Sequence, residues 1–190
     1  LIAPVRFARF CLRAADRAAE AYLYPDALQL SRRGLEALRG FPEDELRAAL
    51  VVTAGGAMGQ VTQLGTEAVL REAFEHYERL GDAAGACRTV CALAGNDPKG
   101  VELCTRALAM LPEGSLDAGR VLAVRGGISL VNSMDLSAGV DDLRQAARIA
   151  KACEDGALER IALTNQLGQL WFHGRSDEVL EAAVQLLPPA

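Results

Sequence analysis

The sequence predicts an all-α protein that consists of about five antiparallel helical hairpins. Two observations lead to this prediction. The 190-residue chain is 51% hydrophobic but only 5% aromatic and has seven prolines, a composition in which Ala, Leu and Val favour packed helices over a sheet. Acidic residues that start a new helix also recur, with spacings of 38, 35 and 38 residues, at Asp44, Asp82, Asp117 and Asp155. A period of this length made of two helices is typical of a helical solenoid.

Each of these aspartates is predicted to begin the first helix of a hairpin. An Asp side chain there accepts hydrogen bonds from free backbone N–H groups and interacts favourably with the positive end of the helix dipole. Gly95 lies 13 residues after Asp82, and Gly168 lies 13 residues after Asp155. Because Gly inside a helix costs about 1 kcal/mol relative to Ala, this recurrence predicts that a neighbouring helix approaches closely at the two glycines.

The second helix of each hairpin begins with a capping signal and carries apolar residues at positions i, i+3, i+4 and i+7. These second helices are predicted at residues 25–38, 66–80, 97–111, 136–152 and 176–187. Turns are expected near residues 22–25, 40–44, 80–82, 112–116 and 153–156.

The stretch LGQLWFHGRSDEVLEAAVQLL, residues 167–187, resembles the tetratricopeptide repeat, a helical hairpin of about 34 residues. Leu167, Gly168 and Trp171 occur in the order of that pattern, although the following turn is one residue shorter. The resemblance implies an α-α superhelix, a tetratricopeptide-like solenoid, which forms a single domain over residues 1–190.

A narrower resemblance covers residues 10–95. The segments RAADRAAEAYLYPDALQLSRRGLEALRGFPEDELRAAL and QLGTEAVLREAFEHYERLGD resemble the repeat arm of large bacterial STAND signalling ATPases and transcriptional regulators. The resemblance implies that this chain is the sensor or scaffold arm of a longer multidomain protein, and we expect a fragment. A phosphate loop of the form GxxxxGK[ST] does not occur in the chain.

Charge and cysteine content restrict the setting of the protein. The net charge of −5 argues against a general nucleic-acid or anionic-membrane binder. No uncharged run of 18 apolar residues occurs, so a membrane span is not expected. Five cysteines without a disulfide-like pattern indicate a reducing, cytoplasmic location.

The cysteines allow a metal site or a structural role. Cys87 and Cys91 share a helix face and Cys104 lies on the next helix, so that three thiolates could bind zinc. The sequence contains no CxxC motif and no evident fourth ligand, and buried Cys packs as a small hydrophobic residue. We therefore predict core positions for these three and for Cys11 and Cys153, with no metal and no cofactor.

The other candidates for chemistry are also interpreted as structural. His76 is expected on a solvated helix face, and neither it nor His173 has a recognisable catalytic partner. The glycines of 55–59 and 126–127 could form phosphate-binding turns, but no strand precedes them, which favours helix packing. The charged pairs Arg32-Arg33 and Asp141-Asp142 are expected to be solvated. We predict no catalytic residue and no enzyme.

By resemblance to the tetratricopeptide fold, one face of each first helix lines a groove. The residues placed there are Arg125, Ser129, Asn132, Asn165, Gln169, Phe172 and His173. Their side chains could bind an extended peptide or a polar small ligand, and the alternative is an ordinary polar helix face. Two functions remain open, a protein-interaction scaffold and an arm that senses a small ligand and controls an attached nucleotide-dependent switch.

Both ends of the sequence are apolar, whereas terminal repeats of a solenoid need polar caps. The residues concerned are Ile2, Val5, Phe7, Phe10 and Leu12 at the start, and Val179, Leu180, Val184, Leu186 and Leu187 at the finish. We expect at least one end to pack on another domain of the parent protein or on a second copy.

Overall fold

The computed structural model describes residues 3–61, 66–92, 98–132 and 136–184, and it is all-α over these ranges, without a β-strand. The predicted fold class is confirmed at this level. The chain divides into two compact units, Leu1–Gly95 and Asn96–Ala190. The first unit contains α1 (Ala3–Glu20), α2 (Tyr24–Ala37), α3 (Asp44–Val61), α4 (Thr66–Leu80) and α5 (Ala83–Cys91). The second contains α6 (Pro98–Met110), α7 (Leu116–Asn132), α8 (Leu136–Ala152), α9 (Gly156–Phe172) and α10 (Ser176–Val184).

Within each unit the helices pack on their neighbours in chain order. The odd-numbered helices also contact one another, since α1 packs on α3, α3 on α5, and α7 on α9. The even-numbered helices of the described segments do not: the backbones of α2 and α4 stay more than 8 Å apart, as do those of α8 and α10. Each unit therefore has a groove between neighbouring even-numbered helices.

The predicted turns lie at the observed breaks between helices, and several share one geometry. Gly81 and Glu154 have positive φ angles of 68° and 56°. The next residue then donates its backbone N–H to a carbonyl five residues earlier, Asp82 to Tyr77 at 2.9 Å and Asp155 to Ala150 at 2.9 Å. This is the Schellman ending of a helix, which pairs carbonyls that the helix leaves free.

The capping prediction is confirmed for two of the four aspartates. Asp82 accepts a hydrogen bond from the Gly85 N–H at 2.9 Å, and Asp155 accepts one from the Leu158 N–H at 3.0 Å. At α7 the cap is Ser115, whose hydroxyl accepts from the Ala118 N–H at 3.2 Å.

Asp117 and Asp44 lie inside the first turns of α7 and α3. Asp117 forms an ion pair with Arg120 at 3.0 Å instead of capping the helix. The cap must come from the residue before the helix, and Asp117 is already the second residue of α7. An acidic side chain in the first turn still interacts favourably with the helix dipole.

Close packing occurs at other glycines than the repeat pattern indicated. The prediction for Gly168 is wrong, because a Cβ atom there would meet nothing within 4 Å. Gly95 lies outside the described residues.

Gly126 does pack closely, since a Cβ atom would lie 2.8 Å from the carbonyl oxygen of Gly139 on α8. At Gly55 it would lie 2.7 Å from Leu70, and α3 continues through the 55–59 segment without a break. The helix-packing interpretation is confirmed at Gly55 and Gly126, whereas a Cβ atom at Gly56 or Gly127 would make only ordinary contacts.

The cysteine prediction is confirmed at three positions and wrong at two. Cys11, Cys87 and Cys104 are buried, whereas Cys91 and Cys153 are exposed. The exposed pair lies at helix ends, Cys91 in the last turn of α5 and Cys153 just after α8, where neighbouring helices do not cover the chain. Burial raises the pKa of the Cys11 thiol, and the nearby Arg33 opposes this effect.

Ser31 presents a buried hydroxyl in α2 for which the described part of the structure offers no hydrogen-bond partner. An unsatisfied buried polar group costs about 1–3 kcal/mol. We therefore expect Ser31→Ala to raise the free energy of unfolding by about 1 kcal/mol, as measured by urea denaturation. Thr89 is the matched control, because its buried hydroxyl donates to the Gly85 carbonyl at 2.8 Å. Thr89→Val should lower stability, and a loss at both positions would contradict the assignment.

Candidate interaction surfaces

Arg125, predicted to line a groove, is held in a structural ion pair. Its guanidinium donates two hydrogen bonds to the Asp142 carboxylate of α8, both at 2.7 Å, and a longer one to Thr105 of α6 at 3.4 Å. The two charged side chains are 24% and 13% exposed. The hydrogen bond with Asp142 raises the pKa of Arg125, more than burial lowers it. Asp142 is thus not solvated as expected, and this Arg is not free to bind a ligand by itself.

The other predicted groove residues divide between two helices. Ser129 is buried in α7, and the side chain of Asn132 lies outside the described residues. On α9, Asn165 and Phe172 are exposed and Gln169 is half-buried. His173, exposed as well, ends α9 and has its ring 5.6 Å from that of Phe172 in an edge-to-face arrangement. Apart from the ion-paired Arg125, the described part of the predicted groove that solvent can reach therefore belongs to α9.

Besides Ile161, which is 54% exposed on α9, the last two helices expose four large apolar side chains. Trp171 is 75% exposed and Phe172 78% on α9, and Leu180 is 71% and Val184 62% exposed on α10. We call this set the α9–α10 apolar surface. Leu180 and Val184 were expected from the apolar end of the sequence. The exposure of Trp171 was not expected, because the repeat pattern placed this residue inside the hairpin. Trp171 follows the buried Leu170 directly, and successive residues of a helix point in different directions.

The apolar character predicted for the first helix is confirmed in part. Phe7 and Phe10 of α1 are exposed, Val5 is buried and Leu12 is half-buried against the core. At the other end, Val179 packs partly against the core. Ile2, Leu186 and Leu187 lie outside the described residues.

The groove between α2 and α4, floored by α3, has a volume of about 720 Å³ and is open to solvent. Arginines line it from all three helices: Arg32, Arg39, Arg47 and Arg79. Arg47 is fixed, because it donates to the Leu38 carbonyl at 2.6 Å. Apolar side chains and three carboxylates complete the lining: Leu35, Ala48, Val51, Ala73, Glu36, Asp44 and Glu72. We call this the α2–α4 groove.

His76 lies in the wall of the α2–α4 groove and is half-buried, so the expectation of a solvated histidine is wrong. Its ring contacts that of Tyr77 edge-to-face, with centroids 5.6 Å apart. Its Nε2 atom is buried and has no hydrogen-bond partner within the described residues.

The second unit has a groove at the corresponding place, between α8 and α10 with α9 beneath, of about 890 Å³. An ion pair crosses it, because Arg144 of α8 lies 3.6 Å from Glu178 of α10. Arg144 also contacts Asp141 at 3.5 Å, and Glu178 contacts Arg175. The charged groups of this groove thus partly neutralise one another across the opening.

The sequence did not indicate the α2–α4 groove, because its arginines are spread over three helices. Arg32 had been interpreted as half of a solvated pair. The one available signal was the spacing of Arg32, Leu35 and Glu36, which places these side chains on one face of α2.

The described part of the structure contains neither a membrane-spanning helix nor a metal-binding cluster. No helix there is long and apolar enough to cross a membrane. Among the same residues no three His, Cys, Asp or Glu side chains are grouped so that they could hold a metal ion.

Comparison of the chain with models of protein families gives no match, and comparison with curated proteins gives none.

Proposed function

We propose that this chain is a non-catalytic protein-interaction arm with a tetratricopeptide-like superhelix, the scaffold or sensor part of a bacterial signalling or transcriptional regulator of the STAND type. The helix packing supports this proposal. In a superhelix the first helices of successive hairpins contact one another along the inner side, and the second helices diverge on the outer side. Within each unit the odd-numbered helices contact and the even-numbered ones do not.

The observation that carries the proposal is the α9–α10 apolar surface. Trp171 and Phe172 alone expose roughly 300 Å² of apolar area, since such rings bury about 150–250 Å² each when fully covered. Exposed apolar patches of a few hundred Å² on a folded domain mark interaction sites. Trp residues in particular supply a large share of the energy of protein interfaces.

The shape of the two grooves favours a scaffold over a small-ligand sensor. Sites that retain a metabolite enclose most of its surface. The α2–α4 groove and the groove between α8 and α10 are both partly open to solvent and enclose no sealed cavity. Open grooves suit a protein surface or a peptide better than a metabolite.

Trp171 provides the experiment, because it is the only Trp in the chain. We expect its fluorescence to shift to shorter wavelength as protein concentration rises, since association through the α9–α10 apolar surface removes the indole from water. Phe172→Ser should abolish the concentration-dependent shift. Leu80→Ser is the control, an exposed apolar residue at the end of α4, and it should leave the shift unchanged. Emission typical of a solvated indole at every concentration would contradict the proposal.

A further inference from the structure

We propose that α10 of one copy of this chain docks into the α2–α4 groove of a second copy. The inference rests on the proposed function, because it requires self-association, and it adds the acceptor site and the chemistry of the contact. It is drawn from the arginines of the groove that are unpaired within the described residues, the exposed face of α10, and the difference in charge between the two halves of the chain.

The α2–α4 groove offers cationic groups that lack partners of their own. Arg32 and Arg79 have no ion pair within the described residues. Arg39, in the turn after α2, pairs with Glu36 at 3.6 Å, and both side chains are largely exposed. Such a surface pair is worth little, so that Arg39 can exchange it for another carboxylate. The apolar residues Leu35 and Val51 line the same groove.

One face of α10 complements this lining. Asp177, Leu180 and Val184 are three and seven residues apart, which places them on the same side of the helix. All three are exposed. The face therefore combines a carboxylate with two apolar side chains, and none of the three takes part in the Arg144–Glu178 ion pair.

The two halves of the chain also differ in charge. Residues 1–95 contain 11 Lys and Arg against 12 Asp and Glu, whereas residues 96–190 contain 9 against 13. The excess negative charge thus belongs to the half that carries α10. Such complementarity selects the partner and the orientation of docking.

The corresponding groove of the second unit is a poorer acceptor. Its opening is crossed by the Arg144–Glu178 ion pair, and α10 is one of its own walls. The α2–α4 groove lacks such a crossing among the described residues. Because donor and acceptor surfaces differ, the contact is heterologous.

Sedimentation velocity of the full chain tests this arrangement with two variants. The first carries Arg32→Glu and Arg79→Glu, which reverse the groove. The second carries Asp177→Arg, which reverses the α10 face. We expect each variant alone to associate at least about tenfold more weakly than the unchanged chain, because like charges then meet.

A mixture of the two variants should form heterodimers, because the unaltered α10 of the first fits the unaltered groove of the second. The control is Arg33→Glu with Arg9→Glu, the same charge change at exposed residues that do not line the groove, and it should associate like the unchanged chain. Thermal unfolding of each variant checks that it is folded.

The possible failures are distinct. Association that survives both reversals but is lost with Phe172→Ser would overturn the groove and leave the proposed function standing. A mixture that stays monomeric would overturn the groove as well. An unchanged chain that is monomeric at every concentration would overturn both.

Discussion

Gly126→Ala is expected to lower the free energy of unfolding by about 2–3 kcal/mol, the range for overpacking a filled core. The added methyl group would lie 2.8 Å from the Gly139 carbonyl oxygen and 2.8 Å from Leu143, both on α8. The Gly139 carbonyl belongs to the backbone and cannot move away by a rotamer change, as the end of a side chain can. The helices α7 and α8 would therefore have to separate. The loss should exceed the gain of about 1 kcal/mol from replacing a helical Gly by Ala. Urea denaturation followed by circular dichroism measures the change.

Gly127→Ala is the matched control in the same helix. Its methyl group would meet only the Asn165 side chain, at an ordinary contact distance of 3.9 Å. We expect a gain of about 0.5–1 kcal/mol from helix propensity alone. Equal effects of the two substitutions would show that α7 and α8 are not packed at Gly126 as described.

Tyr77→Ala is expected to cost about 4 kcal/mol, as for other large buried aromatic residues. Tyr77 is among the largest fully buried side chains in the described part. Its ring lies against Gly85 of α5, where an added Cβ atom would clash with it, and the Arg88 guanidinium lies 5.9 Å from the ring centroid. Burial raises the pKa of its hydroxyl, against a smaller opposing effect of Arg88.

Two comparisons separate this effect from a general loss of an aromatic ring. Tyr22→Ala removes the same side chain from an exposed site and should change stability by less than about 0.5 kcal/mol. Gly85→Ala should be less destabilising when Tyr77 is already Ala than in the unchanged chain, because contacting residues couple energetically. Part of the cost should remain, since the added Cβ atom would also lie 2.6 Å from the Asp82 carboxylate. Additive effects would refute the contact between Tyr77 and Gly85.

Features that depend on a few neighbouring residues were predicted from the sequence. The carboxylates of Asp82 and Asp155 accept hydrogen bonds from backbone N–H groups two or three residues later in the chain. Such a contact can be predicted because both partners are close in sequence. Helix ends followed from the same local signals. Ser115 was missed because an Asp two residues later gave the stronger acidic signal, although the capping position belongs to the residue before the helix.

Features that depend on packing were not predicted. The sequence around Gly168 does not reveal that this glycine faces no other helix. The close approach of Gly126 to Gly139 likewise depends on how α7 and α8 cross. Arg125 was assigned to a ligand groove because its partner Asp142 lies 17 residues away on another helix. The α2–α4 groove has the same origin, since Arg32 and Arg79 become neighbours of one opening only after three helices pack.

Sedimentation equilibrium over a wide range of concentrations tests the central claim most directly, that this chain acts by binding protein through its last two helices. The unchanged chain should show an average mass that rises with concentration. The variant with Trp171→Ser and Phe172→Ser should keep the mass of one chain throughout, because the exposed rings that drive association are gone. A single-chain mass for the unchanged protein at every concentration, or equal association of the variant, would contradict the account.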